Sequence, residues 1–198
     1  MFVLLLLIGY LIGSIPSGYL SMRIFSGQDI RTLGTGNATV TAVMIYGGRL
    51  PGIVALLAEI IKAVICIFIA IALVGETWAS LVILIAAVFG CSWSVWLKGG
   101  GGQGLTIGMS GLVLLNVVAV LIMAVFYLLP LATTKRHLLS NRIFRISVPI
   151  VLGSWYASWE WALAGCILVM PSFIKGWASG DDVVEARKVD SVGHTGAS

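Results

Sequence analysis

Long apolar runs dominate the hydrophobic pattern of this chain. Residues 2–22, 50–74 and 78–97 are nearly unbroken apolar stretches. Each has the length of about 20 residues that a helix needs to cross a hydrocarbon core. The segment 105–132 is apolar too, but Gly108, Ser110, Gly111 and Asn116 interrupt it. The segment 146–174 is interrupted by Gly153, Ser154 and Glu160. Polar residues collect in 23–49, in 98–104, in the basic run 133–145 and in 175–198. Gly13, Ser14 and Pro16 fall inside the first run, where a packed membrane helix tolerates them. No positive n-region precedes residues 1–12 and no small-residue cleavage site follows, so this run is expected to stay as the first span.

Composition places all of this in a membrane. Only 10% of the 198 residues are charged and 59% are hydrophobic, with mean hydropathy +1.06. Soluble domains carry about 25% charged residues. The net charge of +4 reflects Lys and Arg gathered in cytoplasmic loops, and no nucleic-acid partner is expected. Charge bias also orients the spans. With 23–49 inside, the basic 133–145 run is inside only if 105–132 crosses twice or dips and returns, breaking near Gly108–Asn116. The same logic divides 146–174 near Trp155–Trp161. Each half is then about 14 residues, roughly 21 Å of helix and short of a full crossing. The expected fold is an all-α integral membrane protein of about seven transmembrane or half-spanning helices, with the N-terminus outside. Residues 1–174 form one polytopic domain and 175–198 a polar, flexible cytoplasmic tail. Of the twelve Lys and Arg, Lys62 alone sits inside a span.

Few residues offer chemistry. Lys98-Gly99-Gly100-Gly101-Gly102-Gln103-Gly104 is a glycine-rich loop between apolar runs. Glycine adopts positive φ without steric cost, so such a loop can turn backbone N–H groups toward an anion; it can equally let helices approach closely. A phosphate site usually adds a cation, and Gln103 is neutral. Glu59 and Lys62 lie three apart on one helical face and are expected to form a structural ion pair. Cys66, Cys91 and Cys166 fall in apolar runs and read as buried hydrophobes; no zinc spacing or disulfide framework appears, and no metal is expected. Trp155, Trp159 and Trp161 suit an interfacial belt. The basic run around His137 suits contact with anionic headgroups of membrane lipids.

Four strings occur in a telling order: Gly13-Ser14-Ile15-Pro16-Ser17-Gly18-Tyr19, Asp29-Ile30-Arg31-Thr32-Leu33-Gly34-Thr35-Gly36-Asn37, Glu59-x-x-Lys62, and the glycine loop. Over roughly residues 8–145 the chain resembles the PlsY family of bacterial inner-membrane acyltransferases. The resemblance implies transfer of an acyl group from acyl phosphate to glycerol 3-phosphate, giving lysophosphatidic acid for phospholipid synthesis with no metal or cofactor. It implies Thr35 and Asn37 as catalytic positions, and Arg31, Thr41, Lys98, Gly101, Gly102, Gln103 and Gly104 as substrate contacts.

The departures are in the polar ligands. The family's second loop asparagine corresponds to Ala42, its arginine to Ile45, its G-H to Gly90-Cys91 and its loop lysine to Gln103. Its C-terminal His and Asn have no counterpart near Ser172–Asp182. Charge-assisted contacts are roughly twice as strong as neutral ones, so losing two cations weakens a site for two anionic substrates. Lys98, Arg31 and Arg49 are the cations nearest in sequence. On this reading the chain is a catalytically degenerate relative, serving with other membrane-protein subunits as a structural or accessory component. The alternative is an active acyltransferase. Either way the 23–49 segment and the 98–104 loop are expected to meet on one face.

Overall fold

The computed structural model describes residues 1–179 together with 182, 183, 185 and 186, and the described residues are helical with no strand. In order the helices are α1 (Phe2–Ser14), α2 (Ser17–Ser26), α3 (Val40–Gly47), α4 (Arg49–Leu73), α5 (Thr77–Ser92), α6 (Leu105–Leu115), α7 (Val117–Thr134), α8 (His137–Trp155) and α9 (Trp159–Ser179), with single 3-10 turns at Ile30–Thr32 and Val95–Leu97. Four stretches among the described residues are long and apolar enough to cross a membrane: Phe2–Ser26, Arg49–Leu73, Thr77–Leu97 and Val117–Thr134. Their outer faces carry exposed Leu7, Leu11, Phe68, Ile71, Leu121, Val125 and Leu129. A hydrocarbon surround explains such a surface; water does not.

The first stretch is two helices. Pro16 has no N–H, so the ladder fails there and α2 restarts at Ser17. α1 lies on α5 closely enough for backbones to touch. A Cβ added at Gly13 would fall 2.0 Å from the Ala87 carbonyl oxygen, and one at Gly90 would fall 2.1 Å from that of Tyr10. Small residues at such crossings substitute for the hydrophobic drive that lipid does not supply. Around this contact Leu5, Ala63, Cys66, Ile83, Leu84, Ile107, Met123 and Leu168 form one buried cluster.

Both interrupted segments divide. Asn116 caps α7, its side chain accepting from the Ala119 N–H at 2.9 Å, and it separates a helix of 11 residues from one of 18. The halves are therefore unequal: α6 is short, and α7 is long enough to span. The second division falls at Tyr156–Ser158, where Ala157 takes φ 48° and Tyr156 stacks on Trp161 at 3.8 Å.

Two expectations need correction. The segment expected to begin at 146 starts earlier, since α8 begins at His137 within the basic 133–145 run. Spaced along one face, Ser140, Phe144, Arg145, Ser147 and Val148 are buried, and that burial supports a helix despite the charges. Nor does polarity mark a boundary at 174. α9 continues to Ser179, and Asp182, 5% exposed, docks on the 34–39 loop. Residues 187–198 of the expected tail lie outside the described residues.

The α1–α5 crossing yields a test. Gly90→Leu should separate the backbones and destabilise by about 1–3 kcal/mol or more, seen as a lower Tm in detergent. Leu121→Ala, on the exposed face of α7, should change stability by no more than about 0.5 kcal/mol. Similar losses in both variants would contradict close packing at that crossing.

Candidate active site

Two loops meet, as their order among the spans requires. The Ala38 N–H donates to the Gly101 carbonyl at 3.1 Å. In the first loop Gly34 and Gly36 take positive φ, and the Thr35 hydroxyl oxygen accepts from Asn37 Nδ2 at 3.2 Å. Thr39 ends the loop by capping α3, accepting from the Ala42 N–H at 3.0 Å. In the second loop glycine is required by close approach. A Cβ at Gly101 would sit 2.3 Å from the Cys91 carbonyl oxygen, and one at Gly104 would sit 2.7 Å from the Val88 side chain. Much of this loop's hydrogen bonding is internal: the N–H groups of Gly99, Gly100 and Gly102 donate to Ser94, Leu97 and Cys91. The donors that can turn to a ligand are the first amides of α6, Leu105 to Ile107, because the first intrahelical bond runs from Gly108 to Gly104.

A cavity of about 530 Å³ opens over the junction. Its floor is Thr39, Thr41, Gly102, Gln103, Gly104 and Thr106. One wall is a stripe of α8: His137, Asn141, Arg142 and Arg145. Beside it are Phe173, Gly176 and Trp177 of α9, and the lining also includes Asp182 and Val183. Arg145 Nη2 donates to Gln103 Oε1 at 3.1 Å, and the Ser172 hydroxyl donates to the same oxygen at 3.4 Å. Lys175 Nζ reaches the Gly101 carbonyl at 3.4 Å and lies 5.9 Å from the centre of the Trp93 ring. Asp182 accepts from the Thr35 N–H at 3.0 Å and from the Thr39 hydroxyl at 3.4 Å. The result is a polar chamber lined by two arginines and two carboxylates, with apolar Tyr127, Leu138, Ile146 and Phe173 on its sides.

Beneath it lies a buried polar knot. Lys62 Nζ is 2.8 Å from Glu59 Oε1, and it also donates to the carbonyls of Ile15 at 2.9 Å and Gly13 at 3.3 Å. Glu59 also accepts from the Ser17 hydroxyl and from Cys91 Sγ at 3.6 Å. Glu59 and Cys91 both border the cavity.

Of the residues expected at the site, Thr41, Gly102, Gln103 and Gly104 line the cavity. Gly101 underlies it through Ala38 and Lys175. Thr35 and Asn37 stand just behind, joined to it through Asp182. Arg31 and Lys98 are elsewhere. Arg31 is exposed and clasps Asp29, with Nη2 to Oδ2 at 2.6 Å, and its guanidinium lies over the Tyr19 ring at 5.0 Å. That clasp holds the Asp29 carboxyl down at about 2. Lys98 closes the Val95–Leu97 turn at φ 52° and is not among the lining residues. Sequence reasoning missed Arg145, Arg142, Asn141, Lys175 and Asp182, and read His137 as a headgroup-facing residue. A signal existed: residues 137, 141, 142 and 145 recur at helical spacing. No cluster of three or more metal-ligating side chains occurs among the described residues.

Apolar helices carrying polar loops and charged side chains around one chamber define a polytopic membrane protein. Comparison narrows this. The sequence model described as "Glycerol-3-phosphate acyltransferase" matches residues 3–178. A glycerol-3-phosphate acyltransferase of Thermosynechococcus vestitus is 31% identical over 181 residues, covering 86% of this chain and 85% of the relative. One from Desulforudis audaxviator is 30% identical over 186 residues, with 94% and 93% covered. The fold resembles a solved PlsY, an integral membrane glycerol 3-phosphate acyltransferase in its glycerol 3-phosphate form. The TM-score is 0.78 at 20% identity, over 89% of this chain and 88% of that one. A second PlsY structure, in its lysophosphatidic acid form, aligns at TM-score 0.70. The chain belongs to the glycerol-3-phosphate acyltransferase family, and it is a multi-pass membrane protein of the PlsY fold.

The knot makes a clear forecast. Lys62→Met alone leaves the Glu59 carboxylate buried without its cation, and breaking a buried pair this way costs about 3–5 kcal/mol. Lys62→Met combined with Glu59→Gln removes both charges and should be less destabilising than the single change. Denaturation in detergent compares the two; equal losses would exclude the pairing as a stabilising element.

Proposed function

We propose that this chain is an active acyltransferase of a bacterial inner membrane. It joins the acyl group of an acyl phosphate to glycerol 3-phosphate and releases lysophosphatidic acid and phosphate. A glycerol hydroxyl oxygen attacks the acyl carbonyl carbon. The new ester C–O bond forms, the bond from that carbon to the phosphate oxygen breaks, and the hydroxyl proton leaves on the departing phosphate. Both substrates are anions, so bringing them together needs fixed positive charge.

The observation that carries this reading is the cationic wall at Gln103. The expectation of a degenerate accessory chain rested on several lost polar ligands, at Ala42, Ile45, Cys91 and the C-terminal side as well as at the neutral Gln103. Arg145 at 3.1 Å from Gln103 and Lys175 at 3.4 Å from Gly101 bring two cations to the same loop from other helices, so an uncharged residue 103 does not imply an uncharged site. The first amides of α6 add to this, as helix N-termini favour phosphate. Thr41 and Gly102–Gly104 are assigned to substrate contact, Thr35 and Asn37 to support of the reacting loop. The apolar sides near Tyr127 and Phe173 suit the acyl chain. Membrane lipid is the medium that supplies and receives that chain, and the reaction as written needs no further subunit.

Purified protein in detergent or lipid, given a long-chain acyl phosphate and labelled glycerol 3-phosphate, should form labelled lysophosphatidic acid with one phosphate released per turnover. Background rates from well-folded protein would restore the degenerate reading.

A further inference from the structure

Arg145 sits in a socket made by two other elements. It is 8% exposed and projects from α8 into the cavity wall. Its guanidinium carbon lies 5.7 Å from the centre of the Phe173 ring, a contact that favours a cation over an aromatic face. One turn along α9, Gly176 leaves the space the guanidinium fills, since a Cβ there would fall 2.6 Å from Nη1. The Gln103 amide oxygen accepts from Nη2, and the Ser172 hydroxyl donates to that same oxygen, which keeps it turned toward α8. A lysine at 103 could accept neither bond and would set one cation against another about 3 Å away. Glutamine at 103 and arginine at 145 therefore belong together. Arg145 shares the α8 wall with Arg142 and His137, and the chamber lining also includes the carboxylates of Glu59 and Asp182. An arriving anion thus meets a fork-shaped donor held in place by Gln103 and by Phe173 of α9, a geometry suited to a phosphate monoester.

We propose that Arg145 binds the phosphate group of a substrate in this cavity, and that Gln103 is its positioning residue. The charge that a phosphate site needs is carried on α8 instead of on the glycine loop. This rests on the acyltransferase reading for its substrates, and both substrates offer the same phosphate chemistry, so each is measured separately.

The test is a charge exchange in the full-length protein, read by KM for each substrate, by kcat, and by calorimetric binding of inorganic phosphate. Arg145→Gln should raise KM for at least one phosphate substrate, and weaken phosphate binding, by about ten- to a hundredfold. Gln103→Lys alone should also weaken binding, by about tenfold, because it displaces Arg145. The double variant Gln103→Lys/Arg145→Gln should recover to within about threefold of wild type. That recovery separates loss of a ligand from loss of fold, as a merely structural role for Arg145 would not return with a lysine on the loop. Unchanged KM values and phosphate affinity in Arg145→Gln would overturn the proposal, as would tighter binding in Gln103→Lys alone or a double variant no better than either single one. If wild-type protein transfers no acyl group, the acyltransferase reading fails; the phosphate affinities of the four proteins still decide on Arg145.

Discussion

The structure depends on how a broken helix is made tolerable inside a membrane. Pro16 ends the α1 ladder inside an apolar stretch long enough to cross a membrane, and backbone carbonyls freed within such a stretch need protein partners. Lys62 answers this from α4, donating to the freed carbonyls of Ile15 and Gly13 while resting against Glu59. A lysine buried there for its own sake would be costly. Here it satisfies backbone groups and a carboxylate at once, and Glu59 is held in turn by Ser17 at the restart of α2. One side-chain pair therefore ties α1, α2 and α4 together. The bend it stabilises carries α2 toward the loop that ends in Ala38, and so sets where the two loops meet.

From that junction the site is assembled by short-range rules. The glycines at 101 and 104 let the loop press against the end of α5, and this places the start of α6 under the cavity. The loop is chiefly a packing device whose consequence is an anion-friendly helix start. Of the two readings the sequence left open for this loop, close helix approach is the one the geometry shows.

Much of this was legible in the residues. Runs of about twenty apolar residues specify spans, Asn116 marks a cap, and the i,i+3 spacing of Glu59 and Lys62 puts them side by side. What stayed hidden were contacts that periodicity does not encode. Gln103 and Arg145 are 42 positions apart, and nothing local to either announces the other. The nearby cations Arg31 and Lys98 drew attention because they are close in sequence, yet Arg31 is spent on Asp29 and Lys98 on closing a turn. Reading 133–145 only as a basic run ahead of the apolar segment concealed that its charges share a helical face. The polar residues after 174 suggested a free tail, whereas Asp182 is anchored by Thr35 and Thr39.

The break at Asn116 has a mechanical meaning. It divides the chain into an α1–α6 body that supplies the loops and an α7–α9 body that supplies the cations, with α8 packed chiefly on α7 and α9. The chamber is the seam between them. An anion seated there, as proposed, would touch both bodies and act as a cross-brace. Occupancy then resists their separation, because whatever binds the assembled form and not the parted one stabilises assembly by mass action. If the chamber takes a phosphate-bearing ligand as proposed, resistance to unfolding rises with that ligand's concentration.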